Sequence, residues 1–556
     1  MKFIAHSKVC SHCEETFPIT DLDLHYYAKL DVPPPTWCPT CRHLRRHAHI
    51  NDYVYFTRNC DCCRKQFISI FPPTSDYVVY CQQCWYAEAR NDRAQARDYD
   101  FNRPFFEQFD ELMHAAPMMG MAAINCENCD YCQSVGHCKN CYLISESSNC
   151  EDCYYCYWIQ KTMSCLDCCY IHECETCYEV SDSFNCYNLK YSQNCTNCSD
   201  SVFLDNCIGC SYCAFSTNLR HKQYHIENKP YSREEYLRLL PEYLPSDYGR
   251  RKQLWNRFQE FLHNQPRKHL QLENAENCTG DYIRNAKNCR HVFHCYDAED
   301  CAYGEHVWRG AKDCMDANTA GRHAEFVYES TNSGIESYNV KFCRYCWGSR
   351  NIEYSNECIN GSHLFGCVGL KPGANHLVLN KPYSPTDYTA LVSRIKESML
   401  KLGEYGEFFP PAISSFGYNI SVSYDNQPFS EDEIHRKGWK WESAPTGTRN
   451  RGTVEMNTLP EIGKSTEGIC AEVLSCVSCA RNYRIITQEY YFYREANLPL
   501  PTDCPDCRHR LRLSRRNPKK LIRTQCAQCS LEISTTLNVE RFKKILCERC
   551  YQRAVY

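Results

Sequence analysis

Residues 125–160 read NCENCDYCQSVG, HCKNCYLISESS and NCEDCYYCYWIQ when they are written in rows of twelve. The rows continue to residue 220, and their second column is cysteine in seven of the eight rows, with Thr162 as the exception. Nineteen cysteines lie from Cys126 to Cys213, and all but Cys169 stand at multiples of three. A fixed period near 12 or 24 residues without helical spacing predicts a β-solenoid, in which each repeat stacks on its neighbour.

A second stretch repeats more loosely. AENC ends at Cys278, AKNC at Cys289, AEDC at Cys301 and AKDC at Cys314, in steps of eleven, twelve and thirteen positions. We expect small residues of one column to stack inside successive coils, and asparagines to stack at the turns and hydrogen-bond along the axis. A coil of about 24 residues, made of two rows, is favoured over a minimal coil of one row.

Both stretches end in the same way. The first closes with HKQYHIENKPYSREEYLRLL and the second with ANHLVLNKPYSPTDYTALVSRI. Ser232 with Glu235 forms a capping-box pattern, and Ser384 is followed by Pro385 at the favoured first helical position. These patterns predict two helices that cap the solenoid ends, where strand edges would otherwise be exposed.

The two ends of the chain carry the same series of C-x2-C pairs. Adding 466 to each position of the N-terminal series gives the C-terminal series, and pairs such as Arg42 and Arg508 keep the same offset. This register indicates an internal duplication. It also aligns Cys62 with Gln528, which makes Cys63 the ligand and Cys62 a spare. The predicted metal ligands are Cys10, Cys13, Cys38, Cys41, Cys60, Cys63, Cys81 and Cys84, with Cys476, Cys479, Cys504, Cys507, Cys526, Cys529, Cys547 and Cys550.

The spacing of these pairs specifies their chemistry. A C-x2-C knuckle turns both sulfurs toward one point, and a second knuckle completes a tetrahedron around Zn²⁺. Four thiolates leave no open position, so we expect four structural zinc ions per chain, each contributing on the order of 10–16 kcal/mol to folding. Sequential pairing of the knuckles, first with second and third with fourth, is favoured. A cross-braced pairing, first with third and second with fourth, remains open.

Several further motifs carry a resemblance to a known family. They are FNRPFFEQF at 101–109, LNKPYS at 379–384 and GEFFPPAISSFGYN at 406–419. Together with the end modules, they resemble the large cysteine-rich zinc-ribbon proteins of uncultivated small-genome bacteria over nearly the whole chain. The resemblance implies the architecture and no activity. It also implies treble-clef modules, each with a knuckle, a hairpin and a helix whose first turn supplies the last two ligands. The later tetrads, with seventeen residues between knuckles, match the spacing of GATA-type fingers in ligand geometry alone.

The predicted fold is mainly β, with a central β-solenoid in two stretches with helical caps, flanked by duplicated treble-clef-like α+β zinc-finger modules. Residues 401–469 form an irregular segment that includes the polar run APTGTRNRGT (444–453), which has the composition of a linker. The predicted segments are a zinc module at 1–90, a helical connection at 91–124, a solenoid stretch with its cap at 125–245, a helical connection at 246–273, a second solenoid stretch with its cap at 274–400, the irregular segment at 401–469, and a zinc module at 470–556.

Composition points to a reducing compartment. The chain has 556 residues, 46 cysteines and a formal net charge of −4. The start MKFIAHSKVCSHC lacks the features of a signal peptide, and no apolar run approaches about 18 residues, so we expect a cytoplasmic protein with no membrane partner. Cysteine pairs in such a protein are typical of metal ligands. The ladder cysteines between Cys126 and Cys213 are interpreted first as buried thiols, with further metal binding or disulfides as alternatives.

The partner is predicted from charge. Residues 470–556 hold 16 basic and 8 acidic side chains, an excess that suits local phosphate contact, so we expect binding to nucleic acid or a ribonucleoprotein. The alternatives are a scaffold that binds protein partners along the solenoid, and a metal or thiol reservoir. No common catalytic motif is present and the zinc sites are closed, so neither an enzyme nor a small-molecule substrate is expected. The predicted phosphate-binding residues are Arg508, Arg510, Arg512, Arg515, Arg516, Lys519, Lys520 and Arg523.

Overall fold

A computed structural model of the chain describes residues 6–245, 247–443, 447–456 and 459–556. It forms two compact units, each assembled from two separate segments of the chain. The N-terminal unit combines residues 1–121 with residues 270–444, and the C-terminal unit combines residues 122–269 with residues 445–556. Each end module therefore shares a unit with the repeat stretch that is farther from it along the sequence.

The C-terminal unit contains the regular cysteine repeat, which forms short parallel strands. The strands form a six-stranded and a five-stranded sheet, and paired strands lie one row apart, as in Tyr157↔Cys169 and Cys169↔Ser181. The prediction of a period of two rows is wrong, because hydrogen-bonded neighbours are one row apart. The strands of the repeat are Ala123–Ile124, Gln133–Gly136, Ser145–Ser148, Tyr157–Gln160, Cys169–His172, Ser181–Phe184, Tyr187–Lys190, Ser199–Asp205, Ser211–Thr217 and Gln223–Ile226, followed by the antiparallel Lys229–Pro230.

The backbone of this repeat turns at every third residue. Asn125, Asn128 and Tyr131 begin a series of residues with positive φ, a conformation that asparagine tolerates better than most residues. The residue after each turn points inward, so a buried column of cysteines with Val, Ile and Leu forms the core. Asparagines at the turns hydrogen-bond to their neighbours one row away, as from Asn128 Nδ2 to Asn140 Oδ1 at 3.0 Å. The predictions of a small-residue column and of stacked asparagines are confirmed.

The N-terminal unit contains the looser repeat, in which the register step varies from one pair of strands to the next. Leu272 pairs with Ile283, and Glu325 pairs with Tyr338. Its core alternates cysteine, alanine and branched aliphatic residues. Its strands are Leu272–Glu276, Gly280–Lys287, Val292–Glu299, Trp308–Lys312, Met315–Asn318, Glu325–Thr331, Tyr338–Lys341, Arg350–Glu353, Ser362–Phe365 and Asn375–Val378, followed by the antiparallel Lys381–Pro382.

The two predicted helices after NKPYS are present. Arg233–Leu239 begins after Ser232, whose hydroxyl accepts from the Glu235 amide in a complete capping box. Pro385–Lys401 begins after Ser384, whose hydroxyl accepts from the Asp387 amide. Each helix packs one tyrosine ring on an aromatic ring of the last parallel strand. The ring centroids of Tyr236 and Tyr224 are 5.7 Å apart, and those of Tyr388 and His376 are 5.5 Å apart.

The end modules and connections supply the remaining elements. In the N-terminal unit these are the strands His6–Val9, Thr16–Ile19, Phe56–Asn59, Gln66–Ser69, Val79–Tyr80 and Met118–Met119, and the helices Asp21–Leu30, Pro39–His47, Gln82–Tyr86, Phe105–Ala115, Val422–Asn426 and Glu431–Arg436. In the C-terminal unit they are the strands Arg267–Lys268, Leu474–Ser475, Asn482–Tyr483, Ile522–Gln525, Glu532–Thr535 and Ile545–Leu546, and the helices Tyr248–His263, Thr487–Glu495, Pro505–Ser514 and Glu548–Val555.

Two further observations concern predicted segments. The run APTGTRNRGT begins at residues 444–446, which lie outside the described residues. Its later part lies against a module hairpin, because the Asn482 amide donates to the Thr448 carbonyl at 2.8 Å and the Thr453 amide donates to the Val473 carbonyl at 2.7 Å. Among the described residues, no helix has both the length and the apolar character needed to cross a membrane.

Candidate metal centres

The sixteen predicted ligands gather into four groups of four cysteines, in which the sulfurs lie within 4.8 Å of one another. The knuckles combine sequentially, first with second and third with fourth, so the cross-braced alternative is not the arrangement observed. The groups are Cys10, Cys13, Cys38 and Cys41; Cys60, Cys63, Cys81 and Cys84; Cys476, Cys479, Cys504 and Cys507; and Cys526, Cys529, Cys547 and Cys550.

Each group is built in the same way. The first knuckle lies in the tight turn of a β-hairpin, as Cys10 and Cys13 do between His6–Val9 and Thr16–Ile19. The second knuckle begins a helix: Cys38 is the residue before Pro39–His47, and Cys41 lies in its first turn. Three further helices begin directly after the equivalent cysteines Cys81, Cys504 and Cys547. Each group therefore combines a knuckle in a hairpin turn with a knuckle at the start of a helix.

The sulfur separations suit a tetrahedral ion. Within the groups, the distance between two Sγ atoms of different knuckles is 3.8 Å for Cys13 and Cys38, 3.9 Å for Cys63 and Cys81, 3.7 Å for Cys479 and Cys504, and 3.8 Å for Cys529 and Cys547. A tetrahedron with metal–sulfur bonds of about 2.3 Å has edges of about 3.8 Å. The four groups therefore have the size of metal-binding sites with four thiolate ligands.

Local donors stabilise the thiolate form, which is the form that binds metal, at some of these sulfurs. The Cys38 amide donates to Cys10 Sγ at 3.2 Å, and the Cys81 amide donates to Cys60 Sγ at 3.2 Å. Hydrogen bonding from Cys41 lowers the pKa of Cys38 to about 5. In the same two groups, hydrogen bonding to Cys38 raises the pKa of Cys41 and burial raises the pKa of Cys84. The amides therefore stabilise thiolates at Cys10 and Cys60, and the remaining thiols lose their protons when the cation binds.

The ladder cysteines have a different environment. Their thiols donate to the carbonyl two residues earlier, as from Cys132 Sγ to the Asp130 carbonyl at 3.2 Å. Burial raises the pKa of Cys174 and Cys195 well above the ordinary value, whereas hydrogen bonds from neighbouring thiols lower the pKa of Cys177 to about 7. Within the described residues, none of the ladder cysteines belongs to a group that could gather around one ion. The geometry matches that of small buried thiols in an apolar column.

In each end module, the helix that completes the first tetrad also carries arginines. These arginines contact the repeat of the same unit. We call Pro39–His47 the N-terminal arginine helix and Pro505–Ser514 the C-terminal arginine helix. Arg42 contacts Asp316 at 2.7 Å, and Arg46 contacts the other oxygen of the same carboxylate at 3.2 Å.

The C-terminal unit repeats this contact. Arg508 contacts Asp167 at 2.5 Å, and Arg512 contacts the second carboxylate oxygen. Arg508 and Arg512 align with Arg42 and Arg46 in the register of the duplication. Both guanidinium groups and the Asp167 side chain are buried. The duplicated modules thus use one shared aspartate each to hold two arginines.

This contact corrects the prediction that the whole basic run faces phosphate. Arg508 and Arg512 are buried on Asp167, Arg515 pairs with Glu179 at 3.0 Å, and Arg516 pairs with Asp182 at 3.0 Å. These four side chains are at most 13% exposed, so their charge is neutralised within the unit. Arg510, Lys520 and Arg523 are exposed, and Lys519 is half-buried.

Sequence reasoning missed Asp167 and Asp316. Each is an acidic residue at a positive-φ turn of a repeat, a position that asparagine and aspartate commonly fill. Composition does not reveal that these two aspartates are buried. An acid at a turn position of a repeat was the one signal in the sequence that could have identified them. A third missed group, His43, His47 and Glu305, brings three potential ligand atoms within 4.8 Å.

No protein-family model matches the chain, and no curated protein shows significant similarity to it.

The duplication register gives a prediction about Cys62. Cys62 is exposed and lies outside the tetrad of Cys60 and Cys63. We expect Cys62→Ser to leave the metal content unchanged and Cys63→Ser to remove one ion per chain, because Cys63 and not Cys62 belongs to the group of four sulfurs. Elemental analysis of the two purified variants measures this difference. Equal loss from both would show that the knuckle is wrongly aligned.

Proposed function

We propose that this chain is a non-enzymatic zinc protein that contacts nucleic acid or a ribonucleoprotein through its C-terminal zinc module, at residues 520–556 around the last tetrad. Zinc is supported by the all-thiolate ligand sets and their near-tetrahedral spacing, which zinc commonly occupies in proteins. A structural role is supported because four protein ligands leave no position for a substrate. The ladder cysteines are proposed to remain buried thiols that pack the core and not to act as a reservoir.

We also propose that each repeat winds as a β-solenoid in which one row of the repeat makes one coil. Support comes from the extent of the pairing. In the C-terminal unit, rows pair at several points along their length, as in Glu127↔Lys139, Asp130↔Tyr142 and Gln133↔Ser145. A turn at every third residue supplies the corners that so short a coil requires. The paired rows provide a rigid base on which the arginine helices are fixed.

One observation carries the nucleic-acid proposal: residues 520–556 have exposed cations around the last tetrad, whereas the N-terminal module has no cation at the equivalent positions. In the register of the duplication, the equivalent residues are Val54, Thr57, Tyr77, Val78, Gln83 and Ala87. Exposed cations on a compact module suit contact with a few phosphates. The exposed cations are Lys520, Arg523, Lys543, Lys544, Arg549 and Arg553.

The test uses charge-neutral variants of the whole protein. We expect the combined change Lys520→Gln, Arg523→Gln, Lys543→Gln and Lys544→Gln to weaken binding to both RNA and DNA across sequences. The slope of log affinity against log salt should fall by about 3, because each lost phosphate contact removes about 0.7–0.9 released counterions. Folding should survive, since exposed charges contribute little stability. The measurement is a salt titration of affinity for random-sequence oligonucleotides.

A matched control changes exposed cations elsewhere. Lys252, Lys401, Arg436 and Lys437 are exposed, and their replacement by glutamine removes the same charge from other surfaces. This control should bind as the parent does. The proposal fails if the parent does not bind at low salt, or if the test variant binds as tightly as the parent.

A protein-binding scaffold is the second candidate. In the C-terminal unit, residues at one equivalent position of successive rows are aligned on the surface. They include Met163 and Tyr187, which are 44% and 48% exposed. Regular exposed lines of this kind suit an extended protein partner. Changing both residues to glutamate should abolish a specific protein complex while leaving nucleic-acid affinity unchanged, measured by cross-linking and by the same titration.

A further inference from the structure

A buried cluster in the N-terminal unit brings two imidazoles and a carboxylate together. His43 and His47 lie one turn apart on the N-terminal arginine helix, so both project from the same face. Glu305 Oε2 lies 3.3 Å from His43 Nε2 and 3.8 Å from His47 Nε2. The side chains of Glu305 and His47 are 1% and 5% exposed, and that of His43 is 24% exposed. The cluster thus has one partly open side.

The neighbours of the cluster hold it in place. His306 Nε2 lies 3.0 Å from Glu305 Oε1, the oxygen that faces away from His43 and His47. Asn318 Nδ2 lies 2.7 Å from His47 Nε2 and 3.3 Å from His43 Nδ1. Arg46 Nε donates to Asn318 Oδ1 at 2.6 Å, which orients that amide. Asn426 Nδ2 lies 3.1 Å from His47 Nδ1.

The distances match a small cation with nitrogen and oxygen ligands. Tetrahedral bonds of about 2.0–2.1 Å give ligand separations of about 3.3 Å, against the observed 3.3 and 3.8 Å. A carboxylate buried beside imidazoles is costly to desolvate, and a divalent ion at this point would offset that cost. Imidazole and carboxylate together suit zinc, cobalt and similar first-row ions.

We propose that His43 Nε2, His47 Nε2 and Glu305 Oε2 bind a divalent first-row transition cation, separate from the ions of the four cysteine tetrads. Metal binding displaces Asn318 Nδ2 from His47 Nε2. The amides of Asn318 and Asn426 then turn their oxygens toward His43 Nδ1 and His47 Nδ1, because these nitrogens carry the ring protons when Nε2 binds a metal. His306 remains on the second oxygen of Glu305 and fixes the orientation of the carboxylate, as outer groups do in metal sites. Three protein ligands leave one position for water or an outside ligand.

The duplication provides an internal comparison. His43 aligns with His509, but His47 aligns with Leu513 in the C-terminal arginine helix. The ring of His509 lies 5.7 Å from the ring of Tyr157. Among the described residues, the C-terminal unit has no group of two histidines and a carboxylate that could gather around one ion. The site is therefore a property of the N-terminal module, and leucine is a natural replacement for His47.

The experiment titrates Co²⁺ into the full-length protein after its cysteine tetrads have been filled with zinc. The parent is expected to bind one Co²⁺ per chain, with the weak visible bands of nitrogen and oxygen ligands and no intense sulfur-to-cobalt band. His47→Leu and Glu305→Gln are each expected to lower Co²⁺ affinity by about 100-fold or more, since loss of even an outer group costs about 10–100-fold. His435→Gln, at an exposed site outside the cluster, should bind as the parent does.

The zinc content of the variants reports on their fold. Each variant should retain four zinc ions, so a lost Co²⁺ site is distinguished from a collapsed module. Glu305→Gln preserves side-chain shape and guards against a packing artefact of His47→Leu. Absence of Co²⁺ binding in the zinc-filled parent, or unchanged affinity in both variants, would overturn the proposal and leave the cluster as a hydrogen-bonded histidine–carboxylate network.

Discussion

Replacing Asp167 by alanine is expected to destabilise the C-terminal unit by about 3–5 kcal/mol, the range measured when one partner of a buried ion pair is removed. Asp167 accepts from Arg508 on one carboxylate oxygen and from Arg512 on the other, and all three side chains are buried. The variant would leave two buried guanidinium groups without their shared counterion. Arg508 would retain Glu489 at 3.0 Å, which limits the loss.

Hydrogen exchange locates this effect within the unit. Amides of Pro505–Ser514 and of the rows around residue 167 should exchange about 100-fold faster or more, because each ~1.4 kcal/mol corresponds to a factor of ten. Asp316→Ala should produce the same change in Pro39–His47, since Arg42 and Arg46 share that aspartate. Asp167→Asn preserves shape and should reproduce most of the loss.

An exposed acid provides the control. Glu175 is exposed on a neighbouring row, and Glu175→Ala should change stability by about 0.5 kcal/mol or less. A loss below about 1 kcal/mol for Asp167→Ala would contradict the account of the arginine helices. Reversing the charge of Arg512, Arg515 and Arg516 is likewise expected to disrupt the unit, so such variants cannot be used to measure nucleic-acid contact.

The metal ligands could be predicted from the sequence because their chemistry depends on local spacing. Two cysteines at C-x2-C fix a knuckle, and the register of the duplication removed the ambiguity between Cys62 and Cys63. Sequential pairing of knuckles was only favoured, since cross-braced modules can have similar spacing. The hairpin and helix around each tetrad decide that question, through the helix that begins at Cys38 and its equivalents.

The cysteine column of the repeat was predictable, but the length of its period was not. Rows one and two steps apart resemble each other so closely that periods of one row and of two rows produce the same columns. The deciding feature is a backbone turn at every third residue, which even bulky residues such as Trp158 and Tyr170 adopt. Side chains of that size do not favour positive φ, so their identities gave no signal.

The position of the basic run could not be predicted from composition. A stretch of arginines and lysines without acids is typical of an exposed face, and the acids that neutralise it are hundreds of residues away in sequence. Arg508 and Asp167 are 341 positions apart, and Arg42 and Asp316 are 274 apart. A single sequence carries no information that links such pairs. Glu305 and His43 are likewise far apart in the sequence, so their proximity could not be predicted either.

Loss of one tetrad ion is expected to have the largest effect of any change in this chain. The apparent binding free energy of a structural zinc is about 10–16 kcal/mol and is largely the folding free energy of its module. A tetrad without its ion keeps only a short hairpin and a short helix, which cannot bury enough apolar surface alone. We expect each ligand variant to unfold its own module, which makes the hairpin and helix of that module sensitive to protease.

The most direct test is the metal content of four single variants, Cys13→Ser, Cys63→Ser, Cys479→Ser and Cys529→Ser, measured by elemental analysis beside the parent and Cys62→Ser. One ligand of each tetrad is changed in turn, and the other three tetrads report that the rest of the chain is folded. We expect that zinc is the metal found, that each of the four variants contains one ion fewer than the parent, and that Cys62→Ser contains the same number. A parent with two ions or fewer, or ligand variants that keep the full number, would contradict it.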